Sequence, residues 1–178
     1  MALYHSLNYD KNTLYMIIIV FGLPGSGKSY FASRLAERIN AGYVNSDKIR
    51  KTLFPARTYS QQEKESVYET MQKQTLALLQ LNRHVIVDAT FHRADRRKKF
   101  IDGLSGNAIS FIEIWAMANL ARQRVEKPRE WSEAGPDVLK RITEQWETMT
   151  EAHLKIESTN DNIEQMLQQA INHLALDT

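Results

Sequence analysis

One stretch of the sequence combines residue types and a spacing that are typical of triphosphate binding. It is 22-GLPGSGKS-29, which fits the pattern G-x-x-x-x-G-K-[S/T] in full. Its glycines let successive N–H groups converge on a β-phosphate at the positive end of the following helix, and a Cβ at Gly22 or Gly27 is expected to crowd that turn. Lys28 is expected to bridge the β- and γ-phosphates, and the Ser29 hydroxyl to ligate Mg²⁺. The residues predicted to bind ATP are Gly22, Leu23, Pro24, Gly25, Ser26, Gly27, Lys28, Ser29 and Tyr30.

A carboxylate ends a second apolar strand, His84–Asp88. Ligands of open α/β sheets gather at the carboxyl ends of the strands. Asp88 is therefore predicted to share the Mg²⁺ site with Ser29, in the Walker-B position. The alternative is that Asp88 only caps the following helix.

A candidate base follows the short strand Tyr43-Val44-Asn45 in 44-VNSDKIRKTLF-54. Asp47 is placed to accept the proton of an acceptor hydroxyl. Arg50 is one helical turn further on the same face, where it can hold acceptor or phosphate. The alternative, equally compatible with the local sequence, is that Ser46 or Asp47 caps the helix and Arg50 is exposed.

The segment 127-KPREWSEAGP-136 has the length and charge of a lid over the site. Arg122, Arg124, Lys127 and Arg129 lie just before or within it, and an arginine that closes over the phosphates stabilises the charge of phosphoryl transfer. Each is also compatible with a solvated surface position. The predicted catalytic set is Lys28, Asp47, Arg50, Arg124 and Arg129.

Several other residues leave their roles open. Arg93, Arg96 and Arg97 suit either a phosphorylated acceptor or a solvated helix face. Trp131 suits either stacking on a base or packing of the closed lid. His92 has no partner at metal-ligand spacing and is expected in an exposed loop.

The elements that must position these residues alternate between strand and helix. Strands are expected at Met16–Phe21, Tyr43–Asn45, His84–Asp88, Ile109–Trp115 and His153–Glu157. Helices are expected at Lys28–Asn40 (ended by Gly42), Ser46 or Asp47 to Leu53, Ser60–Leu81 with Ser60 and Glu63 in capping-box spacing, Asp95–Leu104, Ala118–Glu126, Asp137–Ala152 and Asp161–Leu174. This alternation predicts a parallel sheet covered on both faces.

The chain of 178 residues suits one domain, here residues 16–178, with residues 1–15 as a lead-in. The net charge of +2 does not indicate general nucleic-acid or membrane binding. Two basic clusters, at residues 93–100 and 122–129, suit a site that handles several phosphates. Without cysteines the chain is expected in a reducing cytoplasm, as a monomer or weak dimer.

Two other classes that use such a loop are disfavoured. A guanine-specific Asn-Lys-x-Asp run is absent, and 45-NSDK-48 has the wrong order. Ring-forming motor ATPases carry a further helical domain, for which the chain has no room.

With these motifs in place, the chain resembles the P-loop kinases grouped around phage-type polynucleotide kinase and the zeta toxins. The resemblance runs from Met16 onward through GLPGSGKS, 47-DKIR-50, 86-IVDAT-90, 93-RADRRKKF-100, 122-RQRVEKPREWSEAGPDVL-139 and 156-IEST-159. It implies a three-layer α/β sandwich with five parallel strands in the order 2-3-1-4-5 and an arginine-bearing lid. It also implies Asp47 as general base, Arg50 on the acceptor side, Arg124 or Arg129 on the donor phosphates, and residues 132–134 as the junction between lid and helix.

The resulting expectation is an ATP- and Mg²⁺-dependent kinase that phosphorylates a hydroxyl group. The acceptor is expected to be small, with a nucleic-acid 5′-hydroxyl as the other option. The alternative from another class is an ATP-binding regulatory module or slow ATPase without transfer activity.

Overall fold

Five strands and seven helices alternate along the part of the chain that the structure describes. The structure is a computed structural model, and it describes residues 15–56, 58–128, 132 and 134–176. The strands are β1 (Met16–Phe21), β2 (Gly42–Asn45), β3 (Val85–Asp88), β4 (Ala108–Trp115) and β5 (Leu154–Glu157). The helices are α1 (Lys28–Arg38), α2 (Ser46–Leu53), α3 (Gln61–Gln80), α4 (Ala94–Asp102), α5 (Ala118–Val125), α6 (Pro136–Glu144) and α7 (Ile163–Leu174).

The strands form one parallel sheet in the order β2-β3-β1-β4-β5. This confirms the predicted fold and strand order. The pairing register places Asp88 beside Val20 on one side and beside Asn45 on the other. The ends of β1, β2 and β3 therefore meet at one edge of the sheet, where the predicted site residues follow.

Both faces of the sheet are covered, and β1 contributes alternate residues to two cores. Ile17, Ile19 and Phe21 belong to a cluster with residues of α3 and α4, whereas Ile18 and Val20 belong to one with residues of α1 and α7. All five are at most 2% exposed. An apolar run of this kind is typical of a strand buried on both faces.

Two helix ends differ from the sequence prediction. Asn40, with a φ of 50°, occupies the left-handed position after α1 that was assigned to Gly42, and Gly42 instead begins β2. A Cβ on Gly42 would lie 2.8 Å from Leu78 Cδ1, so its size matters for packing against α3. Helix α6 ends at Glu144, eight residues before the predicted end, because the following segment turns back onto α4.

The start of α2 also corrects the prediction. Asn45 is the N-cap, and its Oδ1 accepts a hydrogen bond from the Lys48 main chain at 2.8 Å. Neither Ser46 nor Asp47 caps the helix, so the Asp47 carboxylate is not used in helix capping.

The predicted capping box on α3 is half right. Ser60 Oγ does accept a hydrogen bond from the Glu63 main chain, at 3.2 Å. Glu63 itself does not return to Ser60, because its carboxylate accepts hydrogen bonds from the main chain of Thr58 and Tyr59. Among the described helices, none is long and apolar enough to cross a membrane.

Candidate active site

The phosphate loop connects β1 to α1 and has the backbone that its glycines predict. Gly27 has a φ of 91° and directly precedes α1. A Cβ on Gly22 would lie 2.1 Å from the Ile114 carbonyl oxygen, and one on Gly27 would lie 2.6 Å from Ser158 Oγ. No side chain caps the start of α1. The loop therefore presents main-chain groups at the positive end of a helix, which is the arrangement that anions favour.

A cavity of about 420 Å³ lies along this loop. Gly25, Gly27, Lys28, Ser29 and Tyr30 line one part of it, and the loop that follows β5 lines another. Leu23 and Ser26 face a different cavity, formed with α5 and α6. Of the predicted nucleotide set, the structure thus brings Gly25, Gly27, Lys28, Ser29 and Tyr30 together at one cavity, whereas Leu23 and Ser26 line the other.

Asp88 is 1% exposed at the end of β3. Its Oδ2 accepts hydrogen bonds from Tyr43 Oη at 2.8 Å and from Asn45 Nδ2. Burial raises the pKa of Asp88, while the Lys28 charge and a hydrogen bond with Ser29 oppose that rise. Burial and the neighbouring Asp88 carboxylate also raise the pKa of Tyr43, so that this phenol remains a hydrogen-bond donor.

The residues around Asp88 fit a Mg²⁺ ion held together with nucleotide phosphates. Asp88 Oδ1 is buried and has no hydrogen-bond partner among the described residues. Mg²⁺ is commonly bound by one or two carboxylates with phosphate oxygens and waters, rather than by a cage of protein ligands. This is consistent with the described chain lacking any group of three or more acidic, His or Cys side chains arranged for a metal.

Asp47 lies within electrostatic range of this carboxylate. Its charge contributes to raising the pKa of both Asp88 and Tyr43. Asp47 is half-buried in the first turn of α2, two residues beyond the Asn45 that bonds Asp88. The structure thus brings the predicted base and the predicted metal residue to one edge of the sheet.

Arg50 is buried, which rules out the exposed alternative. Its guanidinium lies over the Tyr59 ring, 5.1 Å from the centroid, and 3.8 Å separates its Nη1 from Glu63 Oε2. Nη1 makes no hydrogen bond to the described residues and is buried. A buried, charged nitrogen that lacks a hydrogen-bond acceptor is suited to donate to an anionic or polar ligand.

Glu63 was not predicted to belong to the site, yet it orients Arg50. Its carboxylate accepts hydrogen bonds from the main chain of Thr58 at 2.7 Å and of Tyr59 at 2.6 Å. Chiefly the Thr58 bond holds the pKa of Glu63 below its usual range. The capping-box spacing singled out this residue, but only the tertiary contact between α2 and α3 reveals its second role.

Arg124 is tied to the phosphate loop rather than projecting from a free lid. Its Nη1 donates to the carbonyl of Ser26 at 3.3 Å and to Ser158 Oγ at 3.0 Å, and its Nη2 donates to the carbonyl of Thr159 at 2.6 Å. It lines the cavity along the phosphate loop together with Lys127. Arg124 therefore joins the phosphate loop to the loop after β5. Arg129, Trp131 and Glu133 lie outside the described residues.

The basic segment after β3 divides into different roles. Arg97 is 3% exposed and donates to the carbonyls of Phe91, Glu147 and Thr148 at 2.8–2.9 Å. Its burial contradicts the solvated alternative, and its guanidinium is occupied by the three carbonyls. Arg93 and Arg96 instead line a cleft between α3 and α4.

His92 lies half-buried at the same cleft rather than in an exposed loop. Burial, with the charges of Arg96, Lys64 and Arg93, lowers its pKa to about 4. The residue before it, Phe91, is buried with a φ of 49°. This is an uncommon conformation for an aromatic residue, and such conformations cluster at functional sites.

The residues that sequence reasoning missed are those that position the charged groups. Tyr43 and Asn45 hold Asp88, and Tyr68 lines the cleft that Arg96 and His92 share. The predicted strand order did contain a signal for Asn45, since it places β2 next to β3 and therefore the end of β2, Asn45, beside the end of β3, Asp88. No local pattern pointed to Tyr68, which lies in the middle of α3.

Comparisons with known proteins agree with this description. The model of an AAA domain family matches residues 17–156. A search of curated protein sequences finds no significant match.

Among solved structures, the APS kinase CysC of Mycobacterium tuberculosis in complex with AMPPNP and APS is 17% identical, with a TM-score of 0.71 over 92% of this chain and 99% of that chain. A gluconokinase from Sinorhizobium meliloti is 17% identical, with a TM-score of 0.65 over 90% and 91%. A chain of the Pnkp1/Rnl/Hen1 RNA repair complex is 26% identical, with a TM-score of 0.61 over 77% of this chain and 46% of that chain.

Proposed function

The chain belongs to the AAA domain family and has the fold of the P-loop kinases, and from this premise we propose that it is an ATP-dependent kinase that phosphorylates a hydroxyl group. Residues 22–30 bind the triphosphate, with Lys28 on the β- and γ-phosphates. Ser29 and Asp88 hold the Mg²⁺ that accompanies ATP. That ion supplies charge neutralisation at the phosphate oxygens.

One observation carries this proposal, namely the position of Asp47. A half-buried carboxylate that caps no helix lies within electrostatic range of Asp88, at the sheet edge where the phosphate loop begins. A protein that only bound nucleotide would have no need of a second carboxylate there. A kinase needs one to orient the acceptor hydroxyl and accept its proton.

The transfer step then uses this chain's residues as follows. The acceptor oxygen forms a bond to the γ-phosphorus while the bond from that phosphorus to the β,γ-bridging oxygen breaks, and ADP leaves. Asp47 takes the proton of the acceptor hydroxyl. Arg50, whose buried Nη1 makes no hydrogen bond to the described residues and which contacts Glu63 and Tyr59, stabilises the acceptor side.

Arg124 and Arg129 have different parts in this proposal. Arg124, bonded to Ser26, Ser158 and Thr159, sets the shape of the nucleotide site by joining its two loops. Arg129 supplies a positive charge to the donor phosphates. The enzyme acts in the cytoplasm as a monomer or weak dimer, on a small acceptor.

The Asp47→Asn variant tests the mechanism, because it keeps the shape of the side chain and removes the base. We expect transfer from radiolabelled ATP, screened against sugars, nucleosides and 5′-hydroxyl oligonucleotides, to fall at least 100-fold. ATP affinity, measured by calorimetry with AMPPNP, should change less than about twofold.

Asp102→Asn is the matched control, since it removes an exposed carboxylate that pairs with Lys98 at the end of α4. That variant should retain full transfer. If Asp47→Asn turns over ATP as fast as the wild type and no acceptor is labelled, the regulatory or slow-ATPase alternative replaces the kinase.

A further inference from the structure

A cleft of about 510 Å³ lies between α3 and α4, beside the loop that follows β3. Lys64 and Tyr68 of α3, Arg96 of α4, and His92 and Arg93 of the loop line it. We call it the α3–α4 cleft. None of these residues lines the cavity along the phosphate loop, so the cleft is a separate place for a ligand.

The inner part of the α3–α4 cleft carries positive charge without matching acids. The Lys64 side chain has no hydrogen bond or ion pair to any described residue, and Arg96 Nη2 donates only to the neutral Gln61 Oε1, at 2.7 Å. Burial and the charges of Arg96, Arg50 and Arg141 together lower the pKa of Lys64, against the opposing charge of Glu63. Cations that crowd one another in this way create a potential that an anion relieves.

The acids of the cleft do not neutralise this charge. Glu65, Glu69 and Asp95 also line it, but all three are exposed, whereas Lys64 and Arg96 are half-buried. Glu65 accepts from Gln61 Nε2, and Asp95 pairs with Arg93. Solvent screens exposed charges more strongly than half-buried ones, so the inner wall remains positive.

The α3–α4 cleft adjoins the proposed base. Burial raises the pKa of Tyr68 to about 12, and the charges acting on this phenol are those of Arg96, Arg50 and Asp47. The geometry agrees, because Glu63, the residue before Lys64 in α3, has its Oε2 3.8 Å from Arg50 Nη1. Asp47 and Arg50 belong to the same helix, α2. A ligand anchored on Lys64 and Arg96 thus has the helix of Asp47 and Arg50 beside it.

We propose that the α3–α4 cleft binds a phosphate group of the acceptor through Lys64 and Arg96, so that the substrate is an alcohol that already carries a phosphate. This inference adds a substrate class to the proposed kinase function and rests on it, because the bound compound is a substrate only if the protein transfers a phosphate to it. Arginine matches the geometry of phosphate oxygens and lysine adds a point charge, which together favour phosphate over a neutral sugar. Neutral His92 completes the wall without adding charge.

Titration with inorganic phosphate tests the cleft independently of transfer. The protein is first saturated with Mg²⁺ and AMPPNP, so that the phosphate loop is filled, and phosphate binding is then followed by calorimetry. We expect the dissociation constant to rise at least tenfold in Lys64→Gln and in Arg96→Gln. Lys98→Gln is the matched control, because it removes a positive charge from an exposed position of α4 that pairs with Asp102.

The proposal is wrong if the wild type binds no phosphate under these conditions, or if the two cleft variants bind it as tightly as Lys98→Gln. Thermal unfolding of each variant checks that the fold is intact. Because this titration needs no turnover, it judges the cleft even if the kinase proposal fails, and loss of transfer in Asp47→Asn judges the kinase even if the cleft fails.

A second experiment identifies where the phosphate comes from. Transfer is compared for a nucleoside, its 3′-monophosphate and a 5′-hydroxyl hexanucleotide. Lys64→Gln should raise KM at least tenfold for the phosphate-bearing acceptors and leave it unchanged for the neutral one. A response confined to the hexanucleotide assigns the phosphate to a nucleic-acid backbone, one shared with the monophosphate assigns it to a small molecule, and an equal rise for all three acceptors overturns the proposal.

Discussion

Gly22 is the residue of the phosphate loop with the least room for a side chain. A methyl group there would lie 2.1 Å from the Ile114 carbonyl oxygen, which belongs to the main chain of β4 and cannot rotate away. Its φ of 152° adds strain for any other residue. The Gly22→Ala variant is therefore expected to lose about 2–5 kcal/mol of unfolding free energy, from strain and overpacking together.

Urea denaturation measures this loss, and Gly106→Ala separates its two causes. Gly106 has a φ of 87° but nothing within 4 Å of a built Cβ. It should lose only the strain, about 1–2 kcal/mol. Equal losses in the two variants would show that the contact with β4 is relieved by a shift of the loop.

Tyr43 donates a hydrogen bond to Asp88, the residue proposed to hold Mg²⁺. Tyr43→Phe removes the 2.8 Å hydrogen bond to Asp88 and leaves the ring in place. Losing this donor loosens the orientation of the Asp88 carboxylate and so weakens it as the proposed metal ligand. We expect a 10- to 100-fold rise in the Mg²⁺ concentration needed for half-maximal activity.

The readout for Tyr43→Phe is a Mg²⁺ titration at saturating ATP. Tyr15→Phe is the control, because Tyr15 packs edge-on against His84, at the other end of β1. An unchanged Mg²⁺ requirement in Tyr43→Phe would show that Asn45 alone holds Asp88.

At the scale of elements, Glu63 couples the start of α3 to α2. Hydrogen bonds from Thr58 and Tyr59 lower its pKa in the folded state, so its carboxylate contributes stability above its unfolded pKa and loses it as the pH falls through the folded one. The difference in unfolding free energy between wild type and Glu63→Gln should be largest at neutral pH and shrink on acidification below about pH 4.3, the ordinary pKa of a Glu side chain.

Chemical denaturation from pH 7 to pH 3 checks this dependence. Glu65→Gln, an exposed change in the same helix, should alter stability by less than about 0.5 kcal/mol throughout. A Glu63→Gln difference that does not vary with pH would mean that the hydrogen bonds from Thr58 and Tyr59 do not depend on the charge of Glu63.

The elements were largely predictable, and the exceptions have physical causes. The Gly22–Ser29 motif and the buried run of β1 led to the correct sheet because local backbone needs and burial act within a few residues. The cap of α2 was misassigned because Asn45 ends a strand and caps a helix at once. The predicted end of α6 was wrong because Arg97, which is distant in sequence, donates to the main chain of the following segment and holds it against α4.

The site was less predictable than the fold. Motif spacing led to the choice of Lys28, Ser29 and Asp88, and the end of a strand, together with the resemblance, led to that of Asp47. The burial of Arg50 and its contact with Glu63, however, depend on how α2 meets α3. Arg124 was predicted on the donor phosphates and lies against the phosphate loop. Its bonds to the loop after β5 could not be read from the sequence, since they join residues more than thirty positions apart.

At the scale of the whole molecule, His92 makes stability sensitive to acid. Its pKa is lowered to about 4 by burial and by the cations Arg96, Lys64 and Arg93, with only Glu147 opposing. In the unfolded chain His92 therefore takes up a proton near pH 6.5, whereas in the folded protein it does so only near pH 4. Stability from neutral His92 is complete above pH 6.5 and declines as the pH falls towards 4.

We expect His92→Gln to lose less unfolding free energy than the wild type between pH 7 and pH 4.5. His173→Gln, an exposed change on α7, should follow the wild type. Parallel pH profiles for wild type and His92→Gln would contradict the low folded-state pKa.

The bonds of Arg97 have a consequence for how the sequence can vary. Three main-chain carbonyls accept from its guanidinium, so these bonds ask for no particular side chain at position 148. Position 147 differs, because the Glu147 carboxylate also accepts from the Ala94 main chain and pairs with Arg93. The mutational sensitivity of the joint between the loop after β3 and the segment after α6 therefore falls on positions 97 and 147 rather than on position 148. A lysine there has one nitrogen where the guanidinium uses two, and it cannot span all three carbonyls. A library of variants should thus show tolerance of substitution at position 148 and intolerance at position 97.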